Sequence, residues 1–126
     1  MVKMAVITGF LGQTKDRFHH YNEPKTLEQK FALLSTIRGY DGVEIVYPYE
    51  ASDAAATRAL LNKYRLKVAA VNVNVKAEPE FLNGGLTSTK KAVRDKAVRF
   101  IRESKDFAAA IGADKVTCCP LGDGFE

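Results

Sequence analysis

The sequence has no tryptophan and very little cysteine, histidine or proline: two, two and four residues among 126. The cysteines, Cys118 and Cys119, are adjacent, which is not the framework of a disulfide-stapled secreted scaffold. A reducing, cytoplasmic setting is expected. Both histidines sit in the pair His19-His20, and neighbouring histidines in an irregular loop seldom reach one ion. No metal site is therefore expected from this chain alone. No apolar run approaches the roughly 20 residues that span a bilayer. The short run Met4–Gly12 lacks a small-residue cleavage site and leads into Gln13-Thr14-Lys15-Asp16, so neither a signal peptide nor a membrane partner is expected. A strong charge of one sign is missing too, since the net charge is +4. Asp95 and Glu103 interrupt the basic residues between Lys90 and Lys105, and no exposed aromatic lies among them. They read as a solvated helix face, with no nucleic-acid partner. Gly9-Phe10-Leu11-Gly12-Gln13-Thr14-Lys15 lacks the Gly-Lys-Ser/Thr of a phosphate loop and the Gly-x-Gly-x-x-Gly of dinucleotide binders.

What is present is an ordinary globular composition, 46% hydrophobic and 27% charged, which excludes disorder. Four short apolar runs, Met4–Thr8, Val43–Tyr47, Lys67–Val75 and Lys115–Cys119, read as strands. The first two and the last are nearly continuous in apolar or small residues, as expected of strands covered on both faces. Between them lie three helices. The first starts at a Thr26-Leu27-Glu28-Gln29 capping box, shows Leu27, Phe31, Leu34 and Ile37 at helical spacing, and can close at Gly39. Ser52 caps an Ala-rich second helix with a core face of Ala56, Leu60 and Tyr64. The third, capped by Ser88 or Thr89 and closed by Gly112, gathers Val93, Ala97, Phe100, Ile101, Ser104, Phe107, Ala108 and Ile111 on one side. The order β-α-β-α-β-α-β, without consecutive strands, predicts an α/β fold with a parallel sheet and right-handed crossovers.

In such folds the working surface lies at the carboxyl ends of the strands. Here the βα segments are long, Lys76–Thr87 above all, while the αβ turns are short. Asn72 and Asn74 share one face of the third strand. They either hydrogen-bond a polyhydroxylated ligand or form a polar layer that satisfies itself. Glu44, inside an apolar strand, must be paired, as a binding group or as a lock accepting backbone or lysine hydrogen bonds. His19 and His20 can stack on or hydrogen-bond a ligand, or simply be solvated. Cys118 and Cys119 read as small core hydrophobes.

Tyr40-Asp41-Gly42-Val43-Glu44-Ile45-Val46-Tyr47-Pro48 and Ala109-Ala110-Ile111-Gly112-Ala113-Asp114-Lys115-Val116-Thr117 resemble the second strand, and the third-helix-to-fourth-strand turn, of the sugar isomerase/epimerase family. That family lies in the xylose isomerase-like TIM barrel superfamily. The resemblance implies the first half of a (β/α)8 barrel. A barrel of about 250 residues allots about 31 to each βα unit, so residues 1–126 make one half-barrel domain, a fragment of a larger one. It further implies metal-assisted isomerisation or epimerisation of a sugar or sugar phosphate, with Mn, Mg, Co or Zn held by residues from later strands. This chain alone would contribute substrate contacts without a complete catalytic site: the resemblance implies Asn72, Asn74, Tyr47 and the loop around Asp123, and the reading of the residues adds Glu44, His19 and His20. The alternatives are a non-catalytic half-barrel, paired with a second copy or a complementing half, and a relative of the apurinic-site endonucleases.

Overall fold

The computed structural model describes residues 2–15 and 18–119. Four parallel strands, β1 (Ala5–Ile7), β4 (Gly42–Tyr47), β5 (Val68–Val73) and β6 (Val116–Cys118), form one sheet in the order β1-β4-β5-β6. Between β1 and β4 a two-stranded antiparallel hairpin intervenes, β2 (Thr14–Lys15) with β3 (His20–Tyr21). Three helices complete the alternation: α1 (Leu27–Leu34), α2 (Ala54–Tyr64) and α3 (Lys91–Ile111). Strand order in the parallel sheet thus follows chain order, as the βαβ pattern predicts, and among the described residues the hairpin is the one added pair of strands.

Because strand side chains alternate, each strand divides its residues between two environments. Val43, Ile45 and Tyr47 of β4, with Val71 and Val73 of β5, are buried under the helices. Glu44, Val46 and Asn72 face the other way and are only half-buried. The expectation that β1, β4 and β6 are covered on both faces is corrected: Ala5 is exposed, no residue of β1 or β6 is fully buried, and Glu44 and Val46 of β4 are only half-buried. β1 and β6 are the outer strands of this sheet, and among the described residues helices cover one of its faces.

The helices follow their sequence signals with local corrections. Thr26 caps α1 through both bonds of the capping box, Gln29 N–H to Thr26 Oγ1 at 3.2 Å and Thr26 N–H to Gln29 Oε1 at 2.9 Å. The helix stops at Leu34, so Ile37 falls outside the core stripe and is 44% exposed. Gly39, at φ 93°, belongs to the following turn. Asp53, not Ser52, caps α2 by accepting from Ala56 N–H at 2.9 Å. The expected core face is corrected as well: the buried residues are Thr57 and Leu61, with Leu60 and Tyr64 at the margin and Ala56 exposed. α3 buries Val93, Ala97, Phe100, Ser104, Phe107, Ala108 and Ile111 as its periodicity predicts, and ends at Gly112 with φ 85°. Neither Ser88 nor Thr89 is its N-cap; that position is Lys90, which forms no side-chain cap. The carbonyls of Ser88 and Thr89 instead accept from Arg94 Nη1 at 2.7 and 3.0 Å.

The long segment after β5 has its own anchor. A short 3-10 turn, Pro79–Phe81, drives Phe81 into the core against the Phe100 ring, 6.0 Å between centroids. Close approach also constrains β4 at the start of its pairing with β5, where the register shifts between Val43 and Glu44. A Cβ on buried Gly42 would stand 2.9 Å from the Lys67 carbonyl oxygen. Gly42→Ala must therefore displace backbone and is expected to destabilise by about 1–3 kcal/mol. Urea unfolding should show a lower midpoint with an unchanged slope; an unaltered midpoint would mean that the strands part without cost.

Candidate functional site

Strand polarity directs the three βα segments to one end of the sheet, where they enclose a cavity of 380 Å³. Its size is that of a small-molecule pocket. Ile7, Gly9, Phe10, Val46 and Tyr49 supply apolar surface; Gln13, Lys30, Glu50, Asn72, Asn74 and Lys76 supply polar groups; Cys119 completes the lining.

Beneath the pocket lies a buried ionic cluster. Glu50 follows β4 in its βα loop, and its carboxylate accepts from Lys30 Nζ, from Thr8 Oγ1 and, at 3.1 Å, from Val46 N–H. Lys30 is 7% exposed and Thr8 is fully buried. The Thr8 hydroxyl also lies 3.1 Å from the Glu44 carbonyl oxygen. A lysine and a glutamate this deep are tolerable only as a hydrogen-bonded pair. The pair ties α1 to the ends of β1 and β4. Gly12 permits this packing, since a Cβ there would meet Lys30 Cε at 2.9 Å.

A second polar group crosses the inner face of the sheet. Glu44 Oε1 accepts from Asn72 Nδ2 at 3.0 Å and from Thr117 Oγ1 at 2.5 Å, so three neighbouring strands are linked through one carboxylate oxygen. Asn72 Nδ2 is also 3.0 Å from Thr117 Oγ1 and 3.6 Å from Cys119 Sγ. Glu44 is thus paired as expected, but with side-chain amide and hydroxyl rather than with backbone or lysine. Asn74 lines the same pocket while its Oδ1 accepts from the N–H groups of Lys76 and Ala77, both at 3.0 Å. Its oxygen is committed to turning the chain, which leaves its amide nitrogen as its polar contribution to the cavity.

Other expected positions fall elsewhere. Tyr47 is on the opposite face of β4: its ring packs on Phe107 at 5.2 Å and its hydroxyl donates to Glu103 Oε2 at 3.3 Å. Placing it toward a substrate is corrected by strand parity, since it shares the face of Val43 and Ile45. Burial, reinforced by Glu103, raises its phenol above the ordinary range. His19 and His20 are exposed in the hairpin region, with the His19 ring near Phe18 and Tyr21. Neither histidine lines the cavity. Cys118 packs on the core but Cys119 is exposed at the pocket, which corrects its reading as a core residue. Asp123 lies outside the described residues.

Sequence reasoning missed Lys30, Glu50 and Tyr49. Tyr49 follows Pro48, which is joined to Tyr47 by a cis peptide bond, and its hydroxyl donates to Glu78 Oε1 at 3.0 Å. Lys96 Nζ in turn bonds Glu78 and, at 3.1 Å, Glu80. The hydrogen bond from Lys96 holds Glu78 below the ordinary carboxylate range. Desolvation, then the bond to Glu78, raises the Tyr49 phenol.

Among the described residues no group of three or more His, Cys, Asp or Glu side chains could hold a metal ion. The two inner carboxylates are already engaged, by Asn72 and Thr117 and by Lys30. The described residues therefore do not fit a metal centre. Nor, among them, is any helix long and apolar enough to cross a membrane.

A family model described as Xylose isomerase-like TIM barrel matches residues 31–125. Among solved structures, the chain is similar to the apo form of YcjR, a 3-keto-D-glucoside 4-epimerase from E. coli, with a TM-score of 0.58 and 18% identity. The match covers 90% of this chain but only 37% of that one. No curated protein matches. The parallel strands and alternating helices are thus those of a partial TIM barrel.

Two outcomes follow from this geometry. Glu50→Gln strands the Lys30 ammonium without its counter-charge and is expected to cost about 3–5 kcal/mol in denaturant unfolding. Adding Lys30→Met should restore much of that loss, and a mild single variant would show that the pair is weak. For Tyr49, a raised folded-state value means that the neutral phenol stabilises the fold below its ordinary value of about 10 and that this contribution fades as pH rises above it. Absorbance titration of phenolate should lose part of its high-pH component in Tyr49→Phe, Tyr47 supplying the rest; an unaltered curve would contradict the assignment.

Proposed function

The chain belongs to the Xylose isomerase-like TIM barrel family, and from that membership we propose that it supplies substrate contacts to a sugar isomerase/epimerase-like barrel. The observation that carries this reading is the pocket at the carboxyl ends of the parallel strands, where the Asn72 and Asn74 amides share a wall with apolar Ile7 and Val46. Fixed amide groups beside apolar surface suit a sugar, whose hydroxyl edge and C–H faces differ in polarity. Resemblance to YcjR, itself an epimerase by name, supports the same class. Fold likeness does not choose a reaction, so the pocket chemistry bears the weight.

In this reading residues 1–126 are a half-barrel of a larger domain acting in the cytoplasm on a sugar or sugar phosphate. The divalent metal of the resemblance (Mn, Mg, Co or Zn) would be held by residues beyond those described. A second reading, a non-catalytic half that pairs with another copy or a complementing half, draws support from the sheet order, which leaves β1 and β6 with one sheet neighbour each among the described strands.

Purified chain, assayed with aldoses and ketoses in the presence of each of these metals, should show no turnover. Supplying a complementing half-barrel should create it. Robust turnover by the chain alone would overturn the division of labour. Sedimentation separates the second reading, which requires a dimer at micromolar concentration.

A further inference from the structure

The cavity is lined by one large apolar side chain whose position is not explained by packing among the described residues. Phe10 is 72% exposed yet lines the pocket. It is not part of a loose segment, because the 3-10 turn Thr8–Leu11 that carries it is pinned at both ends. Thr8 is fully buried against Glu50, and Leu11 packs on the core. Gly9 lies so close to the sheet that a Cβ on it would touch Val46 Cγ2 at 3.2 Å. A phenylalanine held in water by a fixed turn forgoes the burial that usually repays its presence.

A second ring meets the same cavity from the loop after β4. Tyr49 is 46% exposed, and its orientation is set by the hydroxyl bond to Glu78 and by edge-on packing against Phe100, 6.5 Å between centroids. Two rings therefore line the pocket, one carried on a pinned turn and one fixed by its own contacts, and the remaining polar groups include the Asn72 and Asn74 amides. An open-chain polyol presents hydroxyls all round and gains little from an aromatic surface. A pyranose ring presents a C–H face to a π-system, whose negative face attracts it, while its hydroxyl edge remains available to amides.

We propose that Phe10 and Tyr49 are stacking walls and that this pocket takes its sugar in the closed-ring form. This rests on the sugar-pocket reading above and adds to it the ligand's form and the residues that select it. Phe10 is then a specificity residue: Phe10→Leu keeps apolar volume but removes the flat face. Because Phe10 is largely exposed, that variant should fold as the parent does.

The test is an NMR titration of the 15N-labelled chain with methyl β-glucopyranoside and, separately, with sorbitol. Methyl β-glucopyranoside should shift the Asn72 and Asn74 side-chain amide signals. Phe10→Leu should weaken its binding by about three- to tenfold, the range of a single aromatic contact, and leave any sorbitol binding within about twofold. Sorbitol binding alone, or equal weakening of both ligands, would overturn the closed-ring assignment while leaving the sugar pocket standing. Perturbation of those amides by neither ligand would overturn both.

Discussion

The buried pair between Lys30 and Glu50 is the interaction on which the pocket depends. Each charge would be intolerable in its position without the other. Glu50 also holds the Thr8 hydroxyl and the Val46 backbone N–H, so one carboxylate joins the ends of two strands to α1. The turn bearing Phe10 and the loop bearing Tyr49 both diverge from this point. Such a pair adds little net stability compared with an apolar replacement of the same shape. Its effect is positional, since it admits one arrangement of α1 and the two βα segments.

Above that foundation, strand parity sorts chemistry from packing. Val43, Ile45, Tyr47, Val71 and Val73 build the layer under the helices. Glu44, Asn72 and Thr117 occupy the other face and satisfy one another across three strands. Both readings of the asparagines are therefore represented. Asn72 belongs to a polar layer that is internally bonded, and Asn74 turns the chain, yet both remain at the cavity wall.

Much of this was legible from periodicity. The α3 face was visible because a 21-residue amphipathic helix repeats its pattern almost six times. Tyr47 was legible in principle as well: counting by twos from Val43 and Ile45 places it with the core, and only its nearness to the strand end suggested otherwise. The α2 cap moved by one residue because Ser52 and Asp53 are both good caps, and its buried face was hard to read because an Ala-rich helix has little apolar contrast between its sides. Lys30 and Glu50 were not legible. A lysine beside Phe31 on an amphipathic helix reads as solvated, and only the tertiary approach of a loop 20 residues onward reverses that. The hairpin formed by β2 and β3 was hidden because two-residue strands carry no measurable alternation.

The foot formed by Phe81 separates two demands on the segment after β5. Phe81 and the close packing of Gly85 against the Val75 carbonyl bind this stretch to the body of the domain. Leu82 beside it stands 80% exposed and Glu80 remains at the surface. Inheritance can thus rewrite the outer residues without unseating the segment. A family built this way can diversify what it greets at the rim while the framework beneath stays the same.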